Sequence, residues 1–339
     1  MSNRVFLLGA GFSKAAGFPL ASGLASFIQN YLSTSRQPAD IDFNWEFASV
    51  LKGNPPFLKD DVELFLTYID LALLNKSVGI FTRFASHLDL LLFRMKLSGT
   101  IIQALDSAQF KLAERFSNKA LYAKFCEQLQ VGDSVITFNY DLVVEQELWQ
   151  QRKWTYWDGY GLEKNINDFQ ARWGGTYPSD LPTKSAINVY KLHGSLGWAY
   201  DDSIDKFYFN GMPNYFDGRL LYSEKALPPI IGAQLDKGTT LIEPSFIKQF
   251  NRTALLNVWE KAFKVLQQSD ELIIIGYSLP AADSAAQAFL VSGVRSSQIE
   301  SVTIVDNDKS VFEKYALITG KKVVKKLQTF EEWILSMDV

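Results

Sequence analysis

Four short apolar runs punctuate the chain: Val5–Leu8, Val135–Thr137, Leu272–Ile275 and Val302–Val305. Each is rich in Val, Ile or Leu and meets a Gly, Asn or Asp within two residues of its end. An unbroken apolar run closed by a turn residue predicts a strand buried on both faces, as in a parallel sheet covered by helices. Helical spacing follows these runs over Ala21–Tyr31, Leu142–Trp149, Ala282–Val291 and Lys309–Leu317. Strand alternating with helix predicts an α/β fold, a Rossmann-like doubly wound parallel sheet. Its ligand crevice would lie at the strand carboxyl ends.

Two stretches break the alternation. From about Asn44 to Gln130 the apolar positions keep helical spacing (Val62, Leu66, Ile69, Leu73; then Phe84, Leu88, Leu91), which predicts a helical insertion before the Val135 strand. From about Trp154 to Asp236, Gly, Pro, Asn, Asp and aromatic residues dominate. That composition predicts a loop-rich region near the active site, with short strands at Asn188–Leu192 and Lys206–Phe209. Gly174–Pro182 reads as a linker or as an active-site loop. No repeat or low-complexity tract marks a boundary, so residues 1–339 are expected to form a single domain.

Composition narrows the chemistry. The 339 residues include 47% hydrophobic and 14% aromatic side chains, enough for a sizeable core. A net charge of −3 argues against direct nucleic-acid binding, which needs clustered Lys and Arg. One cysteine, Cys126, leaves no disulfide framework and no multi-Cys zinc module. With His87 and His193 the only histidines, no His-rich metal site is expected either. The apolar run at the start is too short for a signal or membrane segment, so a cytoplasmic location is expected.

Five motifs fall where strands end. Gly9-Ala10-Gly11-Phe12-Ser13-Lys14-Ala15-Ala16-Gly17 follows the first strand. Glycines there let backbone N–H groups approach a pyrophosphate. The third glycine comes too late for the dinucleotide fingerprint, and the Walker pattern is absent. Thr137-Phe138-Asn139-Tyr140-Asp141 places an amide and a carboxylate at the second strand's end. Asn139 can hold a ribose hydroxyl or a water, and Asp141 can face a developing cation or cap the following helix. Lys191-Leu192-His193-Gly194-Ser195 offers His193 as a general base, whereas His87 reads as helix surface or packing. Ile275-Gly276-Tyr277-Ser278-Leu279-Pro280 with Asp283, and Val305-Asp306-Asn307-Asp308, read either as nucleotide contacts or as turns with helix caps.

The order of these motifs, spread from Gly9 to Asp308, resembles the sirtuin (SIR2) superfamily, and within it the bacterial SIR2-like branch of anti-phage defence systems. The resemblance implies NAD as the substrate. Gly9, Ala10, Gly11 and Ser13 match the pyrophosphate loop, and Asn139 and Asp141 the polar pair at the nicotinamide ribose. His193 matches the catalytic histidine, Gly276 and Ser278 a second nucleotide loop, and Asp306 and Asn307 the adenosine end. Departures are clear. The four zinc cysteines of deacylating sirtuins are missing, Gly17-Phe18-Pro19 runs into Leu20-Ala21-Ser22 rather than Pro-x-Phe-Arg, and Phe138 replaces a Gln.

The implied activity is therefore an NAD⁺ glycohydrolase without a metal, acting as the NAD-depleting effector of an abortive-infection system. A non-catalytic NAD or ADP-ribose module, a protein deacylase and an ADP-ribosyl transferase remain alternatives. The resemblance also implies control by homo-oligomerisation or by a separately encoded partner such as a HerA-type ATPase or a short Argonaute. The Asn44–Gln130 insertion is the candidate gating or assembly surface, or else a packing layer.

Overall fold

The computed structural model describes residues 3–53, 61–114, 118–155, 158–162, 184–201, 206–209, 253–281 and 283–338. Gly174–Pro182 and most of the loop-rich region lie outside them.

The expected strands form, each within a residue of its apolar run: β1 (Arg4–Leu8), β2 (Ser134–Thr137), β3 (Asn188–Lys191), β6 (Glu271–Ile275) and β7 (Ser301–Asp306). With β8 (Lys322–Leu327) they make a six-stranded sheet in the order β3-β2-β1-β6-β7-β8. Every pairing in it is parallel. Counted within the sheet alone, the order is 3-2-1-4-5-6, so the chain reverses direction across the sheet between β1 and β6. Val5 to Leu8 are at most 3% exposed, so helices cover both faces of the central strand. A separate antiparallel hairpin pairs β4 (Trp198–Asp201) with β5 (Lys206–Phe209).

The sequence pattern overlooked β8. Its residues Lys322, Lys325 and Lys326 are exposed, and the strand ends the sheet, so no continuous apolar run announces it. Exposed lysines on an edge strand discourage pairing with another chain.

Between β1 and β2 the described chain is helical. It runs through the short α1 (Ala10–Ser13), then α2 (Leu24–Thr34), α3 (Pro38–Gly53), α4 (Val62–Leu74), α5 (His87–Glu114) and α6 (Lys119–Gln128). Phenylalanines knit α3, α4 and α5 together. The Phe43 and Phe93 rings lie 5.5 Å apart, Phe65 and Phe81 5.7 Å, and Phe84 and Phe93 5.2 Å. One expectation needs correction. The Phe84–Leu88–Leu91 spacing does not mark the buried face of α5, which turns Leu90, Phe93, Leu97 and Ile101 inward and leaves Leu88 and Leu91 exposed. Ser86 and Asp89 cap each other's backbone at the start of α5, so Phe84 precedes the helix and is out of phase with it.

The later helices are α7 (Val143–Gln150) after β2, α8 (Thr253–Gln267) before β6, α9 (Ser284–Arg295) before β7, α10 (Lys309–Thr319) before β8, and α11 (Phe330–Leu335). A capping box at Thr329 and Glu332 starts α11, and Phe330 packs against Phe12 at 4.6 Å. None of the described helices is long and apolar enough to cross a membrane.

Candidate active site

At the β1–β6 reversal the two glycine turns lock backbone against backbone. Gly9 donates to the Ile275 carbonyl at 3.0 Å and Gly11 to the Gly276 carbonyl at 2.9 Å. Gly276 has φ +60, and a Cβ there would meet Gly11 Cα at 2.5 Å. A Cβ on Gly9 would meet Tyr277 Cα at 2.5 Å. These glycines are fixed by contact between two distant stretches of chain, a stronger reason than turn closure alone.

The amide of Asn139 continues the lock. Its Nδ2 donates to the Gly9 carbonyl at 2.8 Å and to Ser13 Oγ at 3.0 Å. Its own N–H donates to Thr137 Oγ1, which donates in turn to the Leu8 carbonyl. With the amide nitrogen committed, Oδ1 is the atom of the Asn139 head group left to accept from a ligand. Asp141 is 6% exposed, and its Oδ1 accepts from Val143 N–H at 3.1 Å in the turn that leads into α7.

Behind this turn lies a buried ion pair, Lys191 Nζ to Glu145 Oε1 at 2.9 Å, both side chains fully enclosed. Tyr160 donates to the same carboxylate oxygen, and Lys191 also donates to the Asp141 carbonyl. Burial pushes the Glu145 carboxyl up, and Lys191 opposes that rise. The pair ties the Asn139–Asp141 turn to the base of the His193 turn. Removing one partner strands the other's charge, so Lys191→Met is expected to cost ~3–5 kcal/mol in chemical denaturation. The double substitution Lys191→Met with Glu145→Leu is expected to recover much of that loss. A single variant as stable as the parent would contradict the account.

His193, 5% exposed, follows β3 and faces Asp283, with Nε2 3.3 Å from Oδ2. Tyr277 donates to the same oxygen at 2.6 Å. The Phe138 ring stacks on Tyr277 at 4.5 Å and meets His193 edge-on at 4.9 Å. Burial, then the Asp283 charge, drives the Tyr277 phenol well above its usual range, so it remains a donor. Beyond it, Leu279 takes φ +52 while 1% exposed, a strained position for a side-chain-bearing residue. Lys314 and Tyr315 of α10 hold this turn by its carbonyls at Ser278 and Tyr277.

All these turns open on one cavity of about 570 Å³, the size of ordinary ligand sites. Ala10, Gly11, Ser13, Asn139, Asp141, His193, Gly276, Ser278, Asp306 and Asn307 line it. Gly9 does not; it lies behind the wall, in the lock just described. Burial raises the Asp306 carboxyl, while Asp308 caps α10 through Ser310 and is held below the usual range. Asp283, read with the Ile275–Pro280 motif, lines the cavity as well and caps α9, as one of the two readings of that motif has it. Lys14, inside the Gly9–Gly17 motif, and Glu63 line it without a role in the motif reading. Glu63 reaches the cavity from α4, and no local pattern announces it. Among the described residues no group of three or more His, Cys, Asp or Glu is placed to hold a metal.

Residues 133–290 match the model of the SIR2-like domain. The matched SIR2-like span contains Asn139, Asp141, His193, Gly276, Ser278 and Asp283. The Gly9–Ser13 loop and the Asp306–Asn307 turn lie outside the span. Solved structures similar to the chain include one described as the structural basis of sirtuin substrate affinity, at 14% identity and TM-score 0.44. That match covers 98% of this chain and 91% of the other. A Sir2 homologue mutant with ADP-ribose is similar at 16% identity and TM-score 0.41, covering 99% and 90%. A Sir2-homologue mutant complex with 2′-O-acetyl ADP-ribose gives 16% identity and TM-score 0.46, covering 98% and 89%. Curated proteins give no match.

Proposed function

We propose that the chain is an NAD⁺ glycohydrolase, in which water replaces nicotinamide on the ribose and ADP-ribose is the second product. The observation that carries this reading is the single cavity that brings the Gly11 loop, Asn139, His193, Ser278 and Asn307 together from five distant stretches. The turn that lines the cavity with Ala10, Gly11 and Ser13 receives the pyrophosphate, and Lys14, the cation among the lining residues, offsets its charge. Asp306 and Asn307 take the adenosine ribose. Asn139 Oδ1 and Asp141 hold the nicotinamide ribose.

The chemistry follows from charge. As the glycosidic C–N bond breaks, its electron pair leaves with nicotinamide, which departs neutral and needs no strong acid. The ribose carbon becomes cationic, and Asp141 and fixed dipoles in a buried site stabilise that charge. Water attacks the carbon and passes its proton to His193. One NAD⁺ and one water thus give one nicotinamide, one ADP-ribose and one proton.

In the cell, this activity fits an NAD-depleting effector of anti-phage defence, held silent by homo-oligomerisation or by a partner until infection. That role rests on the motif resemblance.

Purified protein incubated with NAD⁺ is expected to release nicotinamide and ADP-ribose in equal amounts, separated by chromatography. Saturable binding without release would make the chain a nucleotide-binding module instead. Loss of NAD⁺ that depends on an added acylated peptide would indicate acyl or ADP-ribosyl transfer.

A further inference from the structure

We infer that Asp283 is the positioning residue for His193: its buried carboxylate, itself fixed by Tyr277, holds the imidazole so that one ring nitrogen is committed to the protein and the other serves the reaction. The inference rests on the proposed role of His193 as base.

The geometry is specific. Asp283 is 2% exposed, and each carboxylate oxygen has assigned work. Oδ1 accepts from Ala286 N–H at the start of α9. Oδ2 accepts the Tyr277 hydroxyl at 2.6 Å and lies 3.3 Å from His193 Nε2. A carboxylate fixed at two points cannot swing to follow the ring, so the ring must follow the carboxylate. With the proton on Nε2 toward Asp283, a neutral imidazole carries its lone pair on Nδ1. An orienting group that selects the tautomer is the logic by which a base is made effective in other folds. The Phe138 ring, packed on both Tyr277 and His193, blocks lateral movement of the imidazole.

Other titratable groups surround His193. Tyr140 lies after β2, with ring centroids 6.4 Å apart, and Asp141 and Glu63 line the same cavity from the β2 turn and from α4. Asp283 is the carboxylate that lies 3.3 Å from the imidazole Nε2.

Asp283→Asn isolates the charge. Asparagine caps helices as well as aspartate does, so α9 keeps its start. Because the chain has two histidines, a ¹H–¹³C NMR titration resolves His193 from the exposed His87 without any turnover. In Asp283→Asn the His193 titration midpoint is expected to fall by about one pH unit relative to the parent, with His87 unmoved. NAD⁺ turnover is expected to fall ~10²-fold with little change in KM. The acid limb of the pH–rate profile should shift down with the NMR midpoint. If the Asn chain fails to fold, Asp283→Ser, another capping residue, takes its place. A His193 midpoint identical in parent and variant overturns the inference. If the parent protein leaves NAD⁺ intact, the glycohydrolase reading fails, while the titration still reports whether Asp283 controls the ring.

Discussion

His193→Ala is expected to lower NAD⁺ turnover by at least ~10²-fold while the protein stays folded. The imidazole touches the core through Phe138 and Asp283, and its loss opens a small space beside the cavity rather than inside the sheet. Asn139→Ala is expected to lose as much activity for a different reason. Besides Oδ1, it removes two hydrogen bonds that pin the Gly9–Ser13 loop, so both the proposed ribose contact and the proposed pyrophosphate site suffer. The two variants should therefore differ in binding. His193→Ala should keep its affinity for ADP-ribose, measured by calorimetry, and Asn139→Ala should weaken it. Unchanged nicotinamide release in both purified variants would refute the assignment.

Gly276→Ala is expected to be strongly destabilising. Its φ of +60 is unfavourable to a side chain, and the new methyl would press on Gly11 Cα at 2.5 Å and Phe12 N at 2.6 Å. Gly320 separates the two costs, since its φ is +67 and nothing lies within 4 Å of the Cβ it would gain. Gly320→Ala should cost ~1 kcal/mol from conformation alone. Gly276→Ala adds backbone displacement at the switch point, raising the total to at least ~3 kcal/mol. Urea midpoints of the two variants measure the difference. Equal midpoints would mean that the β1 and β6 turns yield to each other easily.

The sheet was legible because its central strands are buried on both faces and so are written as unbroken apolar runs. Edge strand β8 was not, since five of its six residues are exposed, three of them lysines. Asn139 and His193 were legible because each sits where a strand stops, and position as well as residue type carried the signal. The phase of α5 was misjudged because Phe84, a core residue, belongs to the turn before the helix. Glu63 was hidden for another reason. It joins the cavity through packing of α4 far along the chain, and no local spacing encodes such a meeting. Gly9 shows the converse: a motif position expected at the ligand lies behind the cavity wall, where its carbonyl accepts from Asn139, which lines the cavity.

The lysine-studded border strand has a consequence for how copies of this molecule can meet. A further strand laid beside β8 would bring a row of ammonium groups close to its neighbour at ~4.8 Å spacing. Growth of the sheet into a ribbon is thus disfavoured at that side.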